Sequence, residues 1–250
     1  MAIYKERAIV LSGFRLGEAD RVVVLLTPGH GKVRAVAKGI RKTKSRFGAR
    51  LEPLVHVDLL LHSGKNLGTV TGAEIVEPFR EVREDLDRLT IASSMAEAAD
   101  RLAQEHEPSP MLYKLLLAAL RELELRPPGR VMLAGYLMRL LEVAGFAMAL
   151  GPCIGCGADG PHTRIGIADG GSLCRVCGGQ ACLVEPGTMA LLEVLSSAKM
   201  ARANELAVPQ ANAAEATGVA LRFVEYHLDR RLKSVNLSSV MPREASLVQT

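Results

Sequence analysis

The sequence predicts an α+β protein of several domains, in which a small five-stranded β-barrel precedes a helical domain with an inserted four-cysteine zinc ribbon. Three observations predict this fold class. Short segments rich in Val, Leu and Ile fill the first 80 residues, and apolar residues then recur at intervals of three and four. Two Cys-x-x-Cys pairs lie in a glycine-rich segment that interrupts the helical pattern.

The five amino-terminal strands are separated by sequences typical of turns, namely GEA, TPGHG, a long basic loop and SGKN. Five short strands with such connections suit a small closed barrel, for which the OB-type barrel is the common architecture. Residues 1–80 are therefore expected to form an OB-type barrel, with the basic loop between its third and fourth strands. The predicted strands are RAIVLSGFRL, DRVVVLLT, GKVRAVAKG, LEPLVHVDLLLH and LGTVTGAEIV.

The chain after residue 80 has helical spacing, and Pro-rich breaks divide it into separate helices. Its most hydrophobic stretch, Val131–Leu150, contains Arg139 and Glu142 near the middle, which a lipid-facing helix disfavours. We therefore expect a buried bundle helix there and no membrane association. The predicted helical domain comprises residues 81–150 and 183–250.

Residues 151–182 form a Gly- and Cys-rich segment that is too short to hold a hydrophobic core of its own. Its two Cys-x-x-Cys pairs are separated by 17 residues, which is the spacing of a four-cysteine zinc ribbon. Four thiolates leave no coordination position open for water or substrate, so the pattern predicts one structural Zn²⁺. The predicted ligands are Cys153, Cys156, Cys174 and Cys177.

Other interpretations of the cysteines stay open. A redox-active Cys-x-x-Cys pair is one alternative to a metal site. Cys182 lies outside both pairs and is expected to be a spare, partly buried thiol. The first residues do not follow the pattern of a secretory signal, so a cytoplasmic location is expected, where cysteines bind metal more often than they form disulfides.

Positive charge is concentrated in one segment. Of the 31 basic residues, eight lie among residues 32–50 with no acid, so the rest of the chain holds 23 basic against 27 acidic residues. Such a segment is typical of a surface that binds polyanions, although runs of like charge are often only solvated loops. The candidate contacts, of which the first three share a strand face, are Lys32, Arg34, Lys38, Arg41, Lys42, Lys44, Arg46 and Arg50.

The barrel offers few aromatic side chains for stacking on bases, namely Tyr4, Phe14, Phe47 and Phe79. Phe47 is the candidate because it lies in the basic loop, but an apolar contact that holds the loop on the barrel is an equally good interpretation. In the first turn, Glu18, Asp20 and Arg21 are expected to form a hairpin with a local ion pair.

Sequence motifs argue against an enzyme. Neither GxxxxGK[ST] nor GxGxxG occurs, so no phosphate cradle for a nucleotide is predicted. The polar residues of the barrel, such as His30, His56 and Asp58, show no arrangement of nucleophile, base and orienting group. A binding protein is therefore the expected class.

The stretch Asp20–Leu61, DRVVVLLTPGHGKVRAVAKGIRKTKSRFGARLEPLVHVDLLL, resembles the amino-terminal OB-fold of the bacterial RecO DNA-repair proteins. The order of barrel, helices, Cys-x-x-Cys insert and further helices, with FVEYHLDRRLKS near the end, is also similar to that family. The resemblance covers nearly the whole chain. It therefore adds a specific function to the fold predicted from the residues.

The resemblance implies a recombination mediator that is not an enzyme and works in the bacterial cytoplasm at the nucleoid. It implies that the basic residues bind single- and double-stranded DNA without sequence specificity and that the protein anneals complementary strands. It further implies work with RecR, contact with the acidic tail of single-stranded-DNA-binding protein, and indirect help in loading RecA. The residues alone also permit a zinc-ribbon factor that binds RNA or acts in transcription.

Overall fold

The computed structural model describes residues 3–42, 45, 47–64, 67–228, 231–232 and 234. The chain divides into two compact units, Met1–Pro127 and Pro128–Thr250, which are described separately below. Among the described residues, the first unit contains the barrel and three α-helices, and the second contains four α-helices and a small sheet. The predicted fold class, a five-stranded barrel followed by helices with a four-cysteine insert, is confirmed.

The five strands of the first unit close into a barrel in the order β1-β2-β3-β5-β4, which is the OB arrangement. All neighbouring strands are antiparallel except β3 and β5, which pair in parallel through Ala35 with Gly68 and Val36 with Thr69. The basic loop joins β3 to β4, as predicted. The strands are β1 Ile3–Leu16, β2 Asp20–Thr27, β3 Gly31–Ala37, β4 His56–His62 and β5 Gly68–Glu77.

Alternation along β3 shows how the barrel core forms. Val33, Ala35 and Ala37 are buried in the core, whereas Lys32 and Arg34 point to the opposite side. Val23 and Leu25 of β2 and Val57, Leu59 and Leu61 of β4 fill the same core. The period-two pattern of the sequence therefore decides which side chains face inward.

Three helices follow the barrel in the first unit: α1 Arg80–Glu84, α2 Leu86–Leu102 and α3 Pro110–Leu125. Asp85 caps α2 by accepting a hydrogen bond of 2.9 Å from the backbone N–H of Arg88. The Arg88 guanidinium in turn donates to the carbonyl oxygens of Leu123 and Glu124, at 2.9 Å each, at the end of α3. The barrel thus shares a compact unit with these helices, whereas the predicted division after residue 80 follows the change from strand-like to helical spacing.

A buried polar chain joins α3 to the barrel. His56 is buried on β4, with Nδ1 2.8 Å from Glu77 Oε2 and Nε2 2.6 Å from the Tyr113 hydroxyl on α3. Arg121 of α3 donates to the other Glu77 oxygen at 2.8 Å. Because each buried polar group has a partner, the contact between helix and barrel is specific as well as apolar.

The second unit packs four helices around an apolar core. They are α4 Met132–Val143, α5 Pro186–Ser197, α6 Met200–Glu205 and α7 Gln210–Leu228. Of the hydrophobic stretch Val131–Leu150 predicted to be a bundle helix, Met132–Val143 forms α4, which packs against α5, α6 and α7, and the residues after Val143 are not helical. Its Arg139 pairs with Glu142 at 2.7 Å, one turn along the helix. In the described part of the chain, no helix combines the length and the apolar character needed to cross a bilayer.

Candidate nucleic-acid interface and metal centre

The basic loop is held on the barrel by apolar side chains. Phe47 is only 1% exposed and packs in the barrel core with Leu51, which lies in a short 3-10 helix, Gly48–Leu51. Of the two roles considered for Phe47, the structure favours the apolar contact that fixes the loop. An aromatic ring in this position is not available to a base.

The start of the loop is bound to the turn between β1 and β2. The Arg41 backbone N–H donates to the Ala19 carbonyl at 3.0 Å, and its guanidinium donates to the Glu18 carbonyl at 2.8 Å. The Gly39 N–H donates to the Asp20 carboxylate at 2.7 Å. These three bonds fix residues 39–41 against residues 18–20, so the turn and the loop form one surface.

The expected local ion pair in this turn is not what holds it. Arg21 instead pairs with Glu52, 31 positions away, at 3.1 Å between Nη1 and Oε1. Asp20 accepts from the Gly39 N–H and Glu18 offers its backbone carbonyl to Arg41. The Asp20 carboxylate and the Glu18 backbone carbonyl therefore hold the start of the basic loop.

Two of the predicted contact residues on β3 are paired with acids of the same unit. Lys32 has a side chain only 14% exposed, and its Nζ lies 3.1 Å from Asp100 Oδ1 and also donates to the Asp100 carbonyl. Arg34 is 47% exposed, and its Nε lies 3.0 Å from Glu105 Oε1. The Lys32 N–H donates to the Gln104 carbonyl at 2.9 Å, so β3 is also joined to this segment through its backbone.

Close backbone approach explains the glycine that precedes Lys32. Gly31 has a φ of 62°, and a Cβ at this position would lie 2.0 Å from the Glu107 carbonyl oxygen. Only glycine fits between β3 and the segment after α2. This contact brings the carboxylates at the end of α2 next to Lys32 and Arg34.

The other predicted contact residues lie on the loop. Lys38, Arg41, Lys42 and Arg50 are exposed, and Arg50 donates to the Phe47 carbonyl at 3.4 Å. Lys44 and Arg46 lie outside the residues that the structure describes. The exposed positive charge that the structure describes in this segment is therefore greatest after the end of β3.

Among the barrel aromatics, the exposed one is Phe14. Its side chain near the end of β1 is 53% exposed, whereas Phe79 is buried and Tyr4 is half-buried with its ring 4.7 Å from that of His30. The sequence did not distinguish Phe14 from the others, because the strand pattern RAIVLSGFRL contains no clear alternation at its end.

The four predicted zinc ligands converge in the second unit. The sulfurs of Cys153, Cys156, Cys174 and Cys177 all lie within 4.8 Å of one another, and those of Cys156 and Cys174 are 3.8 Å apart. A tetrahedral site with Zn–S bonds of about 2.3 Å has sulfur–sulfur edges of about 3.8 Å, so these residues fit a single zinc ion. Cys182 lies outside the cluster, with its Sγ 3.1 Å from the Arg222 guanidinium.

Backbone hydrogen bonds shape both cysteine turns. The Gly157 N–H donates to the Cys153 carbonyl at 2.7 Å, and the Gly178 N–H donates to the Cys174 carbonyl at 2.8 Å. Gly157 has a φ of 75°, and a Cβ on Gly178 would lie 2.9 Å from the Cys174 carbonyl oxygen. Glycine is required at both positions, for its conformation at the first and for space at the second.

The electrostatics of the cluster favour a bound cation. Hydrogen bonds from backbone N–H groups, first that of Cys174, lower the pKa of the Cys153 thiol to about 6. The pKa of Cys177 is raised to about 12, first by its hydrogen bond with Cys156, because neighbouring sulfurs cannot all be charged unless a cation lies among them. The segment that contains the four cysteines also contains a three-stranded sheet, formed by β6 Arg164–Gly166, β7 Gly171–Leu173 and β8 Cys182–Leu183.

Comparison with protein families accounts for both units. Residues 1–79 match the family model described as "Recombination protein O N terminal", and residues 83–236 match "Recombination protein O C terminal". Together the two models cover the barrel, the helices and the cysteine ribbon in the order expected from the sequence. The chain therefore belongs to the RecO family of DNA-repair and recombination mediators.

Proposed function

We propose that the chain binds single- and double-stranded DNA through the phosphate backbone, with little sequence specificity, by means of the basic loop and the turn bound to it. The observation that carries this proposal is the exposure of Lys38, Arg41 and Lys42 on a loop fixed by three hydrogen bonds to residues 18–20. Cations on a fixed backbone neutralise phosphates and release counterions, which gives affinity without base recognition.

The eight basic residues are expected to contribute unequally to DNA binding. Lys32 is largely buried and paired with Asp100, and Arg34 shares its charge with Glu105. The main contacts are then Lys38, Arg41, Lys42 and Arg50, with Lys44 and Arg46 from the same loop. Four to six phosphate contacts correspond to a slope of log affinity against log salt of about −4 to −5 on duplex DNA.

Strand annealing follows from the same surface. A protein that neutralises phosphates lowers the repulsion between two strands, and it leaves the base edges free to pair. We therefore infer that annealing depends on the charge of the loop and not on an enzymatic site. The members of the RecO family are mediators, and we assign no turnover reaction to this chain.

The proposed partners follow from membership of the family. They are RecR, the acidic carboxyl-terminal tail of single-stranded-DNA-binding protein and, indirectly, RecA, which the chain would help to load onto DNA in the bacterial cytoplasm at the nucleoid. The cysteine ribbon would hold one Zn²⁺ through Cys153, Cys156, Cys174 and Cys177. Its role is to stabilise the fold of the ribbon, because four sulfur ligands leave no position for a reacting group.

The direct test is annealing of complementary oligonucleotides by wild type and by a variant in which Arg41, Lys42, Lys44 and Arg46 are replaced by Gln. The proposal predicts that the variant anneals at least tenfold more slowly while its circular dichroism spectrum stays that of wild type. A matched control replaces four other cations of the first unit by Gln and lowers the net charge equally: Lys5, Arg80, Lys114 and Arg126.

The control variant is expected to anneal within twofold of wild type. An equal loss of annealing rate in both variants would mean that annealing depends on net charge and not on the loop, which would refute the proposal. Unchanged annealing by the loop variant would also refute it. Competition between DNA and RNA oligonucleotides of matched sequence tests the alternative class. A tenfold preference for RNA without annealing would favour a zinc-ribbon factor that binds RNA.

A further inference from the structure

Phe14 is a large apolar side chain exposed on the strand that ends at the proposed DNA surface. It is 53% exposed, and Leu16, two residues later, is 41% exposed. Successive odd or even residues of a strand lie on one face, so both side chains belong to the same face of β1. Phe14 differs in this from Phe47 and Phe79, which are both buried.

Strand register places Phe14 in a row that crosses the barrel. Phe14 pairs with Val22 of β2, and Val22 pairs with Val36 of β3. Directly opposed residues point to the same side of a sheet, so the three form one row on the side opposite to the barrel core. Val22 is 1% exposed and Val36 is half-buried, so the ring of Phe14 is the most exposed apolar side chain of the row.

Cations lie on both sides of this row. The preceding row joins Ser12, Val24 and Arg34, so Arg34 lies one row away from Phe14 on the same face. Lys38 follows Val36 by two positions and is exposed just after β3 ends. Rows on one face are separated by about 7 Å and β3 lies two strand spacings, about 10 Å, from β1, so each cation is about 12 Å from Phe14, a distance that a short segment of single strand can span.

The surroundings of the row are fixed. The turn at residues 17–19, which ends β1, is held to the loop by the bonds from Arg41 and the bond from Gly39 to Asp20. Phe14 lies two residues before this turn on a strand that pairs with β2 up to Leu16 and Asp20. The ring is thus presented on a paired strand rather than on a loose loop, which lowers the entropy lost on binding.

We propose that Phe14 stacks on an unpaired base of single-stranded DNA whose phosphates are held by the exposed cations Lys38, Arg41 and Lys42. This inference rests on the proposed function and adds the contact that the phosphate-binding residues cannot supply. Exposed Lys38, Arg41 and Lys42 favour a nucleic acid over an apolar protein segment, because phosphates supply the opposite charge that an apolar surface lacks. Bases of a duplex are stacked on one another, so the contact is specific for single strands.

The test measures the affinity of Phe14→Ala by fluorescence anisotropy at one salt concentration. The probes are an oligothymidylate, a deoxyribose-phosphate strand of equal length without bases, and a duplex of that length. We expect an affinity loss of about tenfold for oligothymidylate, within the range known for one stacked base. Losses under twofold are expected for the baseless strand and the duplex, with the salt slope unchanged because no phosphate contact is removed.

Three further variants distinguish aromatic stacking from a merely apolar contact and from general damage to the barrel surface. Phe14→Trp retains a ring and is expected to bind oligothymidylate at least as tightly as wild type, whereas Phe14→Leu is expected to behave like Phe14→Ala. Ile75→Ala removes an apolar side chain of similar exposure, 44%, from β5, and it is expected to bind all three probes like wild type. Restoration by Trp but not by Leu is the signature of an aromatic contact.

The outcomes distinguish this inference from the proposed function. If wild type binds oligothymidylate with a steep salt slope and Phe14→Ala binds it equally well, stacking is refuted and phosphate binding stands. An equal loss on all three probes would also refute stacking, because Phe14 would then shape the surface and not contact a base. If wild type itself shows no salt-dependent binding, the proposed function fails first.

Discussion

Replacing Phe47 by Ala tests whether the basic loop is held on the barrel from within. The ring is 1% exposed and packs with Leu51, Val55 and other residues of the barrel core. Truncation of a fully buried Phe to Ala costs about 3–5 kcal/mol, since it removes the burial of the ring and leaves a cavity. We expect a loss in this range, together with weaker binding of single strands and duplexes alike, because the loop loses its fixed position.

The assay is native-state hydrogen exchange of the barrel amides, which reports the first unit without assuming that both units unfold together. Phe47→Leu is the matched control and is expected to lose about 1 kcal/mol, because it keeps most of the buried volume. Protection unchanged within about 0.5 kcal/mol in Phe47→Ala, with a tenfold loss of affinity for single strands only, would refute this reasoning. That result would mean that the ring contacts a base.

Two further predictions concern the metal and the pH dependence. One zinc per chain is expected by elemental analysis. Removal of the zinc by a chelator or by Cys174→Ser should expose the amides of residues 151–182 to hydrogen exchange, while the amides of the barrel stay protected. A metal-free protein whose ribbon amides remain fully protected would contradict this prediction. Burial lowers the pKa of His56 below its ordinary value despite the hydrogen bond to Glu77, so stability of the first unit should be constant above about pH 6.5 and fall as the pH drops through the folded pKa. His56→Gln should abolish this fall in stability at acidic pH, whereas the control His62→Gln should retain it. If the fall persists in His56→Gln, His56 is not its source.

A second group extends the acid sensitivity of the same contact. Burial raises the pKa of Glu77, but hydrogen bonds from Arg121 and His56 outweigh this and leave it below the ordinary value. Its contribution to stability is present at neutral pH and is lost as the pH falls through the folded pKa of Glu77. Burial also raises the pKa of Tyr113 to about 12, so its hydroxyl keeps its proton throughout this range.

Local patterns were sufficient to predict the elements of the fold. Alternation in GKVRAVA identified β3 and its inward residues, and the two Cys-x-x-Cys pairs with their glycines identified the four-cysteine cluster. Both signals are contained within a few residues, because strand alternation and metal coordination impose short, regular spacing. The sequence therefore predicted the barrel and the cysteine cluster without any knowledge of long-range contacts.

Long-range contacts decided what the sequence left open. The burial of Phe47 depends on closure of the barrel over the loop, which a Phe flanked by polar residues does not reveal. Lys32 pairs with Asp100, 68 positions away, and Arg21 pairs with Glu52 instead of with the nearby acids of its turn. Charge counting along the chain cannot identify such partners, so it overstates the positive charge that is free on β3.

The most direct test of the account is the salt dependence of DNA binding by wild type and by the variant that lacks Arg41, Lys42, Lys44 and Arg46. The account predicts a slope of log affinity against log salt of about −4 to −5 for wild type on duplex DNA, and about −1 for the variant. A wild-type slope near zero, or the same slope in both proteins, would contradict the claim that the loop holds DNA by its phosphates.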